Sequence, residues 1–194
     1  MKKSILEYLK QLVLIVFSVV LGILLSEKIQ ERKNQKEADL LLSKLKSELT
    51  SNKKLLDHYV PYHAKVVKNL DSSLSDDSFV EEFKADQSVL FKAVITQGNL
   101  MSDSPTSNAW EIAKNHPLIV HFDYEDVLLL SKIYNQQELT YQPVNKIIDL
   151  LLASDFNAPD KAKTNLVAFK NQMREVVTRE AQLLEYINLA EKSL

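Results

Sequence analysis

The sequence predicts an all-α chain: an N-terminal transmembrane helix that continues into a helical stalk and then an antiparallel helical bundle. Three observations point there. Gly occurs only 2 times and Pro 5 times in 194 residues, which removes the residues that tight hairpins and phosphate-binding loops need. Apolar residues recur at three- and four-residue spacing through most of the chain, the period of a helix with one buried face. From Leu12 to Leu25 no residue is charged, and only Ser18 and Gly22 are neither aliphatic nor aromatic. The length suits one ordinary domain with an attached segment. The divisions predicted are 1–26 for the tail and anchor, 27–40 for the stalk and 41–194 for the bundle.

The apolar run comes first in the chain and decides most about it. Each central Leu, Ile, Val or Phe favours insertion by roughly 0.3 to 0.6 kcal/mol, so the run as a whole inserts readily. Taken from Leu12 to Leu25 it rises only about 21 Å against a hydrocarbon core of about 30 Å. Extended from Tyr8 to Ser26 it rises about 28 Å, with Lys10 able to snorkel and Tyr8 suited to the interface. A cleaved signal peptide would share the basic start, but "LLSEKIQERK" lacks the small residues that cleavage requires, so an uncleaved anchor fits better. A buried soluble helix fits worst, because a helix apolar on every face needs a protein shell that amphipathic segments cannot supply.

Orientation is nearly balanced by charge, with Lys2, Lys3 and Lys10 before the run and Lys28, Arg32, Lys33 and Lys36 after it. A short basic start ahead of an apolar run is what the secretion machinery reads, and a long following domain translocates largely regardless of its charges. The expected arrangement is N-terminus inside and bundle outside, the periplasm for a bacterial inner membrane.

Ser26 to Asp39 has almost no apolar residues, yet every residue tolerates helix, as a solvated stalk would. Lys28, Arg32 and Lys36 form a basic stripe on it, read as a solvated face that can also meet anionic headgroups. Leu41, Leu45, Leu49, Asn52, Leu56 and Tyr59 then recur at helical spacing until Val60 and Pro61, where the helix is expected to stop or kink. A second helix from Pro61 to Leu74 would present Val66, Val67 and Leu70. "DSSLSDDS" reads as a loop, and Ser78 with Glu81 has capping-box spacing for a third helix running through Phe83, Val89, Leu90, Val94 and Ile95 to a terminator at Gly98. "NLMSDSPTS" is a connector. Asn108 and Glu111 suit the start of a short helix carrying Trp110 and ending before Pro117. Asp123 and Asp126 suit the start of a helix through Leu130, Ile133 and Tyr134, continued by Val144 to Ala153 after a kink or break at Pro143. Pro159 is placed for the first turn of the last helix, where Leu166, Phe169, Met173, Val176, Leu184 and Ile187 follow near-heptad spacing that Glu180 interrupts.

The anchor "IVFSVVLGILLSEKIQERK", the leucine-rich charged helix after it, and "SNAWEIAKNHPLI…LLLSKIYNQ" together resemble an uncharacterised family of small membrane-anchored helical proteins common in Bacteroidota. Gly22 matches the glycine of that family's anchor, Trp110 and Glu111 its aromatic–acid pair, and Leu130 and Tyr134 its later leucine and tyrosine. The asparagine–tryptophan pair that follows the family's anchor is absent. The resemblance implies architecture and bacterial origin, and no chemistry.

No catalytic, cofactor-binding or metal residue is assigned. The absence of Cys excludes disulfides, thiolate metal sites and a cysteine nucleophile, and a formal net charge of -2 gives nucleic acid no general attraction. His58, His63, His116 and His121 form two pairs spaced five apart, the wrong interval for two ligands on one helical face, and are read as solvent-exposed or loop residues. The acidic residues Asp71, Asp76, Asp77, Glu81 and Glu82 lack calcium-loop spacing and suit turns and helix starts. Ser104, His116 and Asp123 have no nucleophile elbow around the serine. Trp110 is read as a core plug ahead of a partner anchor. The function expected is a non-catalytic interaction or assembly module, with membrane lipid and a protein partner or second copy as its contacts. The alternative is a ligand-sensing bundle, and a tethered hydrolase comes third. The short segment ahead of the anchor would oblige a sensing bundle to signal through a partner.

Overall fold

The computed structural model describes the backbone of residues 2–194 and the side chains from Glu7 onward, and the described residues form helices and loops with no strand. The first helix, α1, runs from Lys2 to Leu74, 73 residues and therefore about 110 Å. Every described side chain from Glu7 to Lys33 is exposed, and the first buried one among the described residues is Ala38. The apolar segment is long and apolar enough to cross a membrane, and the rest of the chain buries none of it.

The expected second helix is therefore the end of α1. Pro61 lies inside it, where it removes one backbone bond and leaves the Asp57 carbonyl without a partner. Asp57 and Pro61 are both exposed, a side of the helix where a freed carbonyl can be solvated at little cost, and packing on either side holds the helix together. The buried face of α1 keeps its spacing straight through the proline: Leu45, Leu49, Asn52, Leu56, Tyr59, His63, Val66 and Leu70 alternate steps of four and three. A seam with that period stays on one side of a helix.

The expected third helix is two. Helix α2, Asp77–Ala85, is capped by Asp76, whose carboxylate accepts from the Ser78 N–H at 2.9 Å; Glu81, expected to close a capping box, pairs instead with Lys84 at 2.6 Å. Asp86 is extended, with φ −145°, and its carboxylate accepts from the Ser88 N–H at 2.8 Å, which starts α3, Ser88–Ala93. An aspartate thus breaks the helix where neither Gly nor Pro marks it. Gly98 closes the turn after α3 with φ +81°, a conformation that favours glycine.

After the connector come α4, Asn108–Ala113, and a 3-10 helix, Pro117–His121. Helix α5, Tyr124–Leu152, continues unbroken through Pro143, because buried residues on both sides of the proline, Thr140 and Ile147, fix it in the core. Helix α6 spans Ala162–Ser193 and begins after Pro159, which sits in the turn leading into it. Its buried seam is Ala162, Leu166, Phe169, Met173, Val176, Glu180, Leu183, Ile187 and Ala190. Glu180 does not interrupt this seam but occupies it, and strict alternation of steps puts Leu183 in the seam in place of the expected Leu184.

The chain ascends α1, turns at α2 and α3, and returns along α1 through the connector to α4 and the 3-10 helix. It then rises in α5 and descends in α6, ending where Leu194 O accepts from Lys46 Nζ. Helix α6 packs along both α1 and α5, and the connector with α4 fills the space between those two. Two apolar clusters result. One joins Leu45, Leu49, Trp110, Leu130, Tyr134 and Ile187 at the end nearer the apolar segment; the other joins Val66, Leu70, Phe83, Ile95, Phe156 and Phe169 at the far end.

Candidate functional site

Around the junction of the two clusters, α1, α5 and α6 aim polar side chains inward. The buried polar residues are Asn52, His63, Gln137, Thr140 and Glu180. Both polar members of the α1 seam and the one in the α6 seam are among them, so their placement follows from the heptad register that also builds the core.

His63 and Glu180 meet across the α1–α6 interface, with side chains 2% and 0% exposed. His63 Nδ1 is 2.8 Å from Glu180 Oε2 and Nε2 is 2.9 Å from the Leu100 carbonyl. A carbonyl only accepts, so Nε2 carries a proton. With a carboxylate at Nδ1 the favoured state is an imidazolium–carboxylate pair. Burial works against the imidazolium, but the hydrogen bond and charge of Glu180 and the Leu100 carbonyl outweigh it and raise His63 above its ordinary value. Tyr59 stacks on the ring at 5.5 Å. Tyr141 Oη and Glu180 Oε1 are buried with no hydrogen-bond partner. Burial, with the Glu180 charge beside it, pushes the Tyr141 hydroxyl far up, so it stays protonated.

The same face of α1 pins the connector. Tyr62 Oη donates to the Asn99 carbonyl at 2.6 Å, and Tyr59 Oη accepts from the backbone N–H groups of Ser102 and Asp103 at 2.9 and 3.1 Å. Asn52 holds Thr106 on both sides, donating to its carbonyl at 2.8 Å and accepting from its N–H at 2.9 Å, and also donates to Gln137 Oε1 at 3.0 Å. One turn lower, Glu48 accepts from the Ala109 N–H at 2.9 Å, from the Thr106 hydroxyl at 3.1 Å and from the Tyr134 hydroxyl at 2.7 Å. Glu48 is thus the cap that α4 lacks locally, since Ser107 makes no side-chain capping bond.

On the outer side of this pinned connector opens a cleft of about 850 Å³, within the range of sites that hold ligands. One wall is the connector and α4, with Met101, Pro105 and Trp110. The other is a stripe of α5: Ser131, Asn135, Glu138, Gln142 and Asn145, ending at Ile148. Trp110 is 8% exposed and stacks parallel on Tyr134 with centroids 5.4 Å apart, so the sole tryptophan is a core residue whose edge reaches the cleft.

The structure scatters the residues weighed in the sequence. His58 is exposed, His116 caps the 3-10 helix by accepting from the Leu118 N–H at 3.2 Å, and His121 sits at the end of that helix. Only His63 departs from the expected solvent or loop setting: it is buried because the helix continues past Pro61 and carries it into the seam. Among the described residues no three His, Asp or Glu side chains gather at one point. Ser104 lies on the cleft wall, its hydroxyl 3.5 Å from Met101 Sδ, away from His116 and Asp123 in their separate capping positions. Of the acidic residues, Asp76 caps α2, Asp77 and Glu81 pair with Lys163 and Lys84, and Asp71 bridges to Lys170 and Arg174 of α6, each at 3.0 Å. Sequence reasoning misread His63 as a solvent or loop residue and Glu180 as an interruption of the seam, and it missed Glu48. For the first two a signal was present, since one further step along each heptad seam lands on them.

No protein-family model, curated protein or solved structure matches this chain.

Proposed function

We propose that the chain is a single-pass, membrane-anchored, non-catalytic helical module that presents its bundle outside a bacterial inner membrane and works by contact with a protein partner. The observation that carries this is the continuity of α1. One helix holds both an apolar segment that the chain leaves uncovered and the seam on which the bundle is built. An apolar surface of that extent and position is stable in lipid and a liability in water. The family resemblance supports the bacterial membrane; the N-terminus-inside arrangement rests on the short basic start ahead of the apolar run and on the ease with which a long following domain translocates, since the count of flanking basic residues by itself leans slightly the other way.

The test uses the absence of Cys. A Ser104→Cys variant, exposed on the connector, is expected to fractionate with membranes after high-salt washing and to react in intact cells with a thiol reagent that passes only the outer membrane. Release by salt overturns the anchor, and labelling only after the inner membrane is broken overturns the orientation. The sensing alternative is favoured by one observation: the connector that walls the cleft is pinned to the same helix that enters the lipid. An occupant of the cleft would therefore reach α1 through the connector's hydrogen bonds to Asn52, Tyr59 and Tyr62.

A further inference from the structure

The cleft beside α5 has a chemistry of its own. Its helical wall repeats Ser131, Asn135, Glu138, Gln142 and Asn145 at alternating steps of four and three, so all five project along one line. In α1 and α6 that register is filled mostly by apolar residues facing another helix, with Asn52, His63 and Glu180 as its polar members, each of them buried and hydrogen-bonded. Here it is filled by hydroxyl, carboxamide and carboxylate groups, and none of the five makes a side-chain hydrogen bond within the described residues. Glu138 has no ion-pair partner among them, while Glu111 and Lys114 on the opposite wall neutralise one another at 2.7 Å. The unbalanced charge of the lining is one negative.

These features select among occupants. A partner helix packs by apolar knobs at such positions, which this stripe lacks. A sugar stacks best on an open aromatic face, but the rings of Trp110 and Tyr134 are stacked on each other and almost wholly buried, and Tyr141, the third ring in the lining, is half-buried with its hydroxyl sunk in the core. An extended peptide fits both the chemistry and the size. Each carboxamide offers a donor and an acceptor, the complement of a peptide unit whose main-chain groups are otherwise unpaired. From Ser131 to Ile148 the stripe runs about 25 Å, the length of about seven extended residues. Met101, Val144 and Ile148 give apolar surface for side chains, and Glu138 at mid-cleft favours a basic one.

We propose that this cleft binds an extended peptide segment of about seven residues carrying a central Lys or Arg, its main chain held by Asn135 and Gln142 and its charge by Glu138. The proposal rests on the interaction-module reading and names the partner's chemistry. It is tested with the full chain in detergent micelles, panned against a random seven-residue peptide display library, with enriched peptides synthesised and titrated. The expected result is enrichment of sequences with Lys or Arg near the middle and at least tenfold weaker binding to Asn135→Ala/Gln142→Ala. Glu138→Gln is expected to weaken binding several-fold and to remove both the basic preference and the salt sensitivity. Glu185→Gln, exposed on α6 and outside the cleft lining, serves as the unchanged control. All of these positions are exposed, so circular dichroism should be unaltered. No enrichment, or enriched peptides indifferent to the three α5 substitutions, overturns the proposal, as does binding of oligosaccharides to the same residues in a glycan array. A membrane-resident chain that enriches no peptide overturns this assignment alone; a salt-released chain that binds peptides through α5 overturns only the anchor.

Discussion

At the scale of single residues the His63–Glu180 pair is the feature with most at stake. Removing one partner from a buried ion pair leaves the other uncompensated, so Glu180→Ala is expected to cost about 3–5 kcal/mol in denaturant unfolding, whereas joint replacement of His63 and Glu180 by Leu is expected to be neutral or stabilising. Equal losses in the single and double variants would show that the pair is not the interaction that matters. The pair also sets a pH dependence. Folding raises His63 above its ordinary value of about 6.5, so its contribution is complete below about pH 6.5 and is lost as pH rises through the folded value. The melting temperature of the full chain should therefore fall on the alkaline side of about pH 6.5, and the His63→Leu/Glu180→Leu variant should lack that component of the fall. A melting temperature rising over the same range would contradict the imidazolium assignment.

At the scale of elements, α4 shows how a short segment can depend on a distant one. Six residues cannot hold a helix alone; Asn108–Ala113 is held by the Glu48 cap and the Trp110–Tyr134 stack. Glu48→Ala removes that cap and leaves the Tyr134 hydroxyl unpaired, an expected loss of about 1–3 kcal/mol. Because Trp110 is the sole tryptophan, its emission should shift to the red as α4 loosens, with little change in total helix content. An unmoved emission spectrum would mean that Glu48 does not hold the element. Trp110→Ala is expected to cost about 3–5 kcal/mol, the range for truncating a buried large aromatic. The elements also show why Pro61 misled the sequence reading. A proline marks a local cost, and whether the helix stops depends on where the freed carbonyl points. Here Asp57 and Pro61 lie on the exposed side of the helix, and the apolar seam continues on the other.

For the whole molecule, two bodies share one helix: an uncovered apolar segment and a bundle closed by α1, α5 and α6. Deleting Met1 to Glu27 should leave a soluble, strongly helical protein, because among the described side chains the first buried one is Ala38, beyond the deletion. Aggregated or unfolded material from that truncation would show that the bundle needs its anchor to fold.

What the sequence determined by itself was whatever depends on composition and period. The all-helical class, the apolar segment, the heptad seam around Leu166, Phe169, Met173 and Val176, and the burial of Trp110 follow from side-chain hydrophobicity repeated at a helix's own spacing, which is local information. Only the tertiary structure decided what depends on which seam positions face one another. His63 and Glu180 lie 117 residues apart, and each alone reads as a polar residue in the wrong place. Glu48 caps a helix sixty-one residues away, and no local pattern links an acid in one helix to the orphan N–H groups of another. The amide stripe of α5 could be counted along the chain, but its concavity exists only because the connector is folded back along α1. Hydrogen bonds and clefts are pairings in space, and a periodicity can place a residue on a face without saying what stands opposite.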